Sequence, residues 1–203
     1  MTRALRHTPR TSSLYRAGTT VAHWNGGEVP HGPADTVQLV SAFDDLLAAN
    51  REFAASFDLA GFDGVARAGV AMVTCMDSRI DPLHMIGLEP GDAKILRNPG
   101  GQVSEQVLVA LVLGVNLLGV DRVLVVQHTR CAMAGDSEAQ LRERVSAASG
   151  ADASWMTFRV ITDQRSGIAD EVAKVRAHPL LGERATVGGF LYDVDTGLLE
   201  QIC

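Results

Sequence analysis

This chain is short of cysteine, of unbroken apolar sequence and of positive charge, and each shortage excludes something. Three cysteines among 203 residues are too few, and odd in number, for a disulfide framework. No apolar run reaches the roughly 18 residues of a membrane span. The longest, Val107 to Val115, stops at Asn116 and reads as buried helix. Lys and Arg number 18 against 24 Asp and Glu, a net charge of −6. That balance argues against nucleic acid as the main partner, and nothing in the sequence asks for a membrane. Neither a Gly-x-Gly-x-x-Gly nor a P-loop occurs, so nucleotide roles are disfavoured. What remains is 46% apolar and 21% charged, an ordinary globular composition long enough for one sizeable core.

The first 34 residues differ from the rest. They carry Arg3, Arg6, Arg10 and Arg16, with no acidic residue before Glu28, and are rich in Thr, Ser, Gly and Pro. They lack the apolar centre of a secretory signal. The composition resembles a transit peptide, but a disordered basic tail or a start placed too far upstream is the favoured explanation. The expected organisation is a flexible basic tail over 1–34 and a single domain over 35–203.

Two of the three cysteines stand in a chemical setting. Cys75 follows the apolar run Val70 to Val73 and opens Cys75-Met76-Asp77-Ser78-Arg79. His128 follows Val123 to Val126 and opens His128-Thr129-Arg130-Cys131. Taken singly, each cysteine is a small core hydrophobe and the histidine a satisfied strand-end residue. Together they are two thiolates and one imidazole, three ligands for one tetrahedral zinc ion per chain, with the fourth position open as in catalytic zinc. Cys203 has no such setting and reads as a surface thiol. Asp77, two residues from a ligand, and Arg79, two beyond it, can form a bidentate pair. The bland alternative for that pair is a surface salt bridge of little worth.

Cys-x-Asp-x-Arg, an Arg97-Asn98-Pro99-Gly100-Gly101 loop and His-x-x-Cys, in this order and at similar spacing, resemble the β-class carbonic anhydrases. The resemblance extends more weakly from about Asp35 to the C-terminus. Two positions depart from the family pattern: Ala132 stands where glycine usually follows the second cysteine, and Pro99 where alanine is frequent. Both adjoin the site, so they bear on pocket shape rather than on metal binding.

The pattern of elements is alternating. Apolar positions from Asp35 to Phe53 fit a helix. Strands are expected over Val70–Thr74, Ala93–Leu96, Asp121–Gln127 and Thr186–Val194. Helices are expected over Ile80–Met85, 105–118 with Ser104 as cap, Ser137–Ala148 and Gly167–Ala177. Asp195-Thr196-Gly197 turns the chain back into Leu198–Ile202, an antiparallel edge. Alternating strands and helices give an α/β fold with a mostly parallel four-stranded sheet flanked by helices. Cys75 and His128 end the first and third strands and can share one zinc only if those strands are adjacent. The second strand then lies outside the first, giving the order 2-1-3-4 and a ligand-binding switch point.

Zinc held by two thiolates and a neutral imidazole carries no net charge, so it acidifies water less than a three-histidine site does. Asp77 can orient the attacking hydroxide, and Arg79 can hold Asp77. Released, Asp77 can take zinc's fourth position and shut the site; the resemblance implies that both states occur in the family. It also implies reversible hydration of carbon dioxide to bicarbonate, and at least a homodimer. Carbonyl sulfide or carbon disulfide hydrolysis is an alternative on the same zinc, and a non-catalytic structural-zinc assembly module is another. Zinc nucleoside deaminases fit poorly, since His-x-Glu with Pro-Cys-x-x-Cys is missing. Arg97 is open between a bicarbonate contact and a structural role, and the loop glycines serve backbone conformation. Thiolate ligands favour a reducing compartment, which makes the expected location cytoplasmic. A chain beginning at Asp35 is expected to keep fold and carbon dioxide hydration, measured by circular dichroism and stopped flow. Loss of either would show that the leading segment docks.

Overall fold

The computed structural model describes residues 42–203. The tail expected over 1–34 and the boundary at Asp35 lie outside the described residues. The chain divides after Ala54. The helix expected upstream is seen in part as α1, Asp44–Ala54, with Asp44 and Asp45 in its first turn and Arg51 in its last. Those charges oppose the helix dipole at both ends.

The second unit, Ala55–Cys203, is built on one sheet. Its strands are β1 (Val70–Cys75), β2 (Ala93–Asn98), β3 (Arg122–His128), β4 (Thr186–Tyr192) and β5 (Leu199–Gln201). Their order is β2-β1-β3-β4-β5. The first four run parallel, and β5 pairs antiparallel with β4. The expected order is therefore found, with the antiparallel edge where the Asp-Thr-Gly turn placed it. All six residues of β1 are buried, as a central parallel strand requires.

The helices are α2 (Glu105–Leu117), α3 (Ala132–Gly135), α4 (Glu138–Ser149) and α5 (Gln164–Arg176). Ser104 caps α2, its Oγ accepting from Val107 N at 3.3 Å. Ser137 and Gln140 form a reciprocal capping box on α4, and Asp163 caps α5. One core cluster joins Val73, Val123 and Val125 of the sheet to Val107, Leu111, Val172 and Val175 of α2 and α5.

Two local expectations differ from the structure. Ile80–Met85 is not a helix; only a single 3-10 turn, His84–Ile86, forms there. Pro82 explains it, because proline lacks the N–H and disfavours helix at Asp81. The short helix α3 was not expected; it follows directly on Cys131.

The strand ends are held together by a tight loop. Gly101 has φ 65°, and a Cβ there would lie 2.6 Å from the Val126 carbonyl oxygen. Both the left-handed backbone and the close approach exclude a side chain. Gly101→Ala should therefore destabilise the fold by about 1–3 kcal/mol, measured by urea denaturation. An unchanged midpoint would mean that this approach constrains nothing.

Candidate metal centre

Cys75 is the last residue of β1 and His128 the last of β3. β1 and β3 pair in parallel up to Thr74 opposite Val126, so both residues emerge side by side at the carboxyl edge. Cys131 arrives from the turn after β3, at the cap position of α3. The C-terminal hairpin fixes that turn. Thr129 N donates to Tyr192 O at 2.9 Å, Val194 N to Thr129 Oγ1 at 3.1 Å and Arg130 Nη2 to Asp195 Oδ1 at 2.6 Å. Arg130 takes φ 53°, a conformation uncommon for a residue with a side chain.

The ligand atoms of Cys75, His128 and Cys131 all lie within 4.8 Å of one another, and all three residues are buried. The two sulfurs are 3.9 Å apart. His128 Nδ1 lies 2.8 Å from Thr129 O. A carbonyl oxygen only accepts, so Nδ1 carries the proton and Nε2 presents a lone pair. That Nε2 is buried with no protein partner. A bare imidazole nitrogen facing two thiols is a soft, convergent donor set of the kind zinc prefers, so these residues fit a metal ion.

The sulfurs share one hydrogen bond. The neighbouring Cys131 thiol does most to push Cys75 down, to about 4; burial opposes, and the His128 ring and the Gly100 N–H assist. Gly100 N donates to Cys75 Sγ at 3.3 Å. Cys131 is pushed up, first by the Cys75 sulfur and then by burial. For His128 burial opposes the charge, but the Cys75 sulfur outweighs it and raises the ring. The two sulfurs thus favour a thiolate at Cys75 over one at Cys131.

Asp77 is engaged from one side. Its Oδ1 accepts from Arg79 Nε at 2.9 Å and from Arg79 N at 2.9 Å, and its Oδ2 from Arg79 Nη2 at 2.7 Å. The Arg79 side chain, then its backbone N–H, holds this carboxyl well below the usual carboxylate range. Asp77 Oδ2 is nevertheless only 3.9 Å from His128 Nε2. Arg79 Nη2 also donates to Arg130 O at 3.3 Å.

Arg97 is a structural hydrogen-bonder. Its Nε donates to Cys75 O at 3.0 Å and its Nη2 to Asp77 O at 2.6 Å, clamping the backbone that carries both residues. Asn98 closes the loop by donating to Gln102 O at 2.6 Å and accepting from Gln102 N at 2.8 Å. A cavity of about 590 Å³ opens over the cluster, walled by Met76, Pro99, Ala132, Met133, Leu141 and Phe158. The two departures from the family pattern therefore land in its wall. The apolar wall residues of α4 and Phe158 were not singled out from sequence, because ordinary core periodicity carries no mark of a pocket.

Residues 70–199, well over half of the chain, match the family model for carbonic anhydrase. β-carbonic anhydrase 1 of Mycobacterium tuberculosis is 27% identical over 163 residues, spanning 78% of this chain and 96% of that protein. A carbon disulfide hydrolase of Saccharolobus solfataricus is 28% identical over 155 residues, spanning 64% of this chain and 75% of that protein. The crystal structure of a carbonic anhydrase from Streptococcus mutans has a TM-score of 0.73 and 33% identity, covering 81% of this chain and 99% of that one. The chain belongs to the carbonic anhydrase family, in its β class.

Because Arg97 grips two carbonyls beside Cys75, Arg97→Ala should weaken metal affinity by roughly ten- to a hundredfold, read by competition with a chromogenic chelator. Arg97→Lys should rescue little, since a single ammonium cannot reproduce the fork. Parent-like affinity in the alanine variant would remove Arg97 from the centre.

Proposed function

We propose that this chain is a zinc enzyme that reversibly hydrates carbon dioxide to bicarbonate and a proton. Cys75, His128 and Cys131 are the zinc ligands, and Asp77 and Arg79 are the catalytic residues. The observation that carries it is the buried, unpartnered His128 Nε2 facing two sulfurs within 4.8 Å, in a chain of the β-carbonic anhydrase family. Zinc, when bound, supplies an acidified water that is nucleophilic near neutral pH. The protein does the rest. Asp77, 3.9 Å from His128 Nε2, accepts a hydrogen bond from the attacking oxygen and sets its direction. Arg79 keeps Asp77 in that role and away from the metal position. The apolar wall admits an uncharged, linear substrate and gives an anionic product little to hold.

Carbon disulfide or carbonyl sulfide hydrolysis is the second reading, supported by the carbon disulfide hydrolase relative and by the apolar wall. A structural-zinc module would need a fourth protein ligand. Among the described residues only Cys75, His128 and Cys131 bring His, Cys, Asp or Glu ligand atoms close enough for one ion, and Arg79 engages Asp77. We further propose residues 35–203 as the catalytic domain, a homodimer or higher homo-oligomer as its assembly, and the cytoplasm as its location, where thiolate donors stay reduced. No helix among the described residues is long and apolar enough to cross a membrane.

Hydration of carbon dioxide, measured alongside hydrolysis of the two sulfur analogues and zinc content, tests the activity directly. About one zinc per chain is expected, as three ligands define one site; full zinc retained by Cys131→Ser would sink the ligand set. Arg79→Ala should keep zinc yet lose roughly ten- to a hundredfold in hydration rate, as outer-shell losses do. If it were as active as the parent, the Asp77–Arg79 pair would have no catalytic role.

A further inference from the structure

A second cavity, of about 350 Å³, shares no lining residue with the mouth of the metal centre; Gln102, Gln127, Thr162, Gly167, Asp170 and Lys174 are among its walls. Gln127 is the residue before His128. It is 1% exposed, and neither its Nε2 nor its Oε1 has a protein partner. Burying a carboxamide costs free energy unless something hydrogen-bonds it. Gly167, in the first turn of α5, presents no side chain toward that amide. A methyl group there would meet Ile161 Cγ2 at 3.3 Å and stand 3.8 Å from both Gln127 Nε2 and Gln127 Oε1.

Charge narrows the occupant. Asp163, Asp170 and Glu171 line the cavity against Lys174 alone. Glu171 is already committed, accepting from Val103 N and from Lys174 Nζ, each at 2.7 Å. Asp163 accepts from Ser166 N at 2.7 Å. An acidic wall of this kind repels an anion. It does not assemble a metal site either, since the described residues bring such ligand atoms together only at Cys75, His128 and Cys131. What suits an unpartnered donor and acceptor lying side by side is an uncharged group of the same pattern.

We infer that this cavity binds a small uncharged amide or urea, whose N–H donates to Gln127 Oε1 and whose carbonyl accepts from Gln127 Nε2. The volume is at the low end of ligand pockets, so the ligand is small. It lies against the strand that ends in His128 and against the loop that reaches Cys75. Gln127 adjoins His128, and Gln102 closes the loop whose Gly100 N–H donates to Cys75 Sγ. The inference does not depend on which substrate the enzyme turns over.

Acetamide, titrated into the full chain as purified, is the probe. The side-chain amide resonance of Gln127 and the backbone resonance of Gly167 should shift and saturate, with affinity on the order of millimolar for so few atoms. Acetate, of the same size but charged, should shift neither. Gly167→Ala, whose methyl reaches the Gln127 amide and presses on Ile161 but suits a helix, should weaken acetamide roughly tenfold or more while keeping the parent spectrum outside the cavity lining. Gln127→Leu should do the same. A linear, unsaturating response overturns the inference, as does unchanged affinity in a folded Gly167→Ala protein. Acetate binding in place of acetamide overturns it too, and so does an acetamide-soaked crystal with only water against Gln127.

Discussion

The parallel pairing of β1 with β3 is the constraint on which the site depends. Neighbouring strands lie about 4.8 Å apart, which matches donor atoms gathered within 4.8 Å. A single intervening strand would put Cys75 and His128 about 10 Å apart at the sheet edge, too far for one ion. The strand order that places β2 outside β1 is therefore what makes three scattered residues into one cluster. The position is also where the crossovers diverge, and open α/β sheets commonly leave a crevice there.

Backbone groups hold most of what the sheet brings together. Gly100 gives its N–H to Cys75 Sγ, Thr129 takes the His128 Nδ1 proton on its carbonyl, and Arg97 binds the carbonyls of Cys75 and Asp77. These partners decide protonation as much as position. Thr129 O takes the Nδ1 proton, which leaves Nε2 as the nitrogen facing the sulfurs, and the Cys131 thiol and the Gly100 N–H favour a thiolate at Cys75. The soft donor atoms already converge within 4.8 Å in the folded chain. The conformational cost is carried elsewhere, at Gly101 and at Arg130, whose positive φ the hairpin pair with Asp195 accompanies.

Much of this was legible in the residues, for identifiable reasons. Strand-length apolar runs ending in Cys75 and His128 announce buried central strands with functional ends, and sharing one ion forces their adjacency. Ser104 and Asp195-Thr196-Gly197 mark a cap and a turn by local chemistry alone. The first three strands run past their expected ends, since Cys75, Asn98 and His128 are polar or reactive yet still pair in the sheet, whereas β4 and β5 stop short of the expected Val194 and Ile202. The apolar spacing of Ile80 to Met85 suggests a helix, but Pro82 interrupts it and only a 3-10 turn forms at its end. The role of Arg97 was undecidable, because an arginine near a metal site looks the same whether it grips backbone or substrate. Gln127 was invisible for a related reason: a strand-end glutamine reads as solvated until its burial is known.

The departures Pro99 and Ala132 show where variation on such a site can act. Ala132 opens α3 directly after its cap, a position with helical backbone that does not require glycine. The alanine costs the turn nothing and adds a methyl group to the cavity wall. Pro99 opens a 3-10 turn, where its fixed φ is suited and an N–H is not needed. Neither residue bears on the donor atoms, while both stand in the wall over them. The donor atoms and the cavity wall are therefore set by different residues: two strand ends and the turn after β3 place Cys75, His128 and Cys131, and the first residues of two short helical turns form part of the wall. Pro99 follows the last residue of β2 and Ala132 follows Cys131, so the wall can vary at these positions while the three donors keep their places.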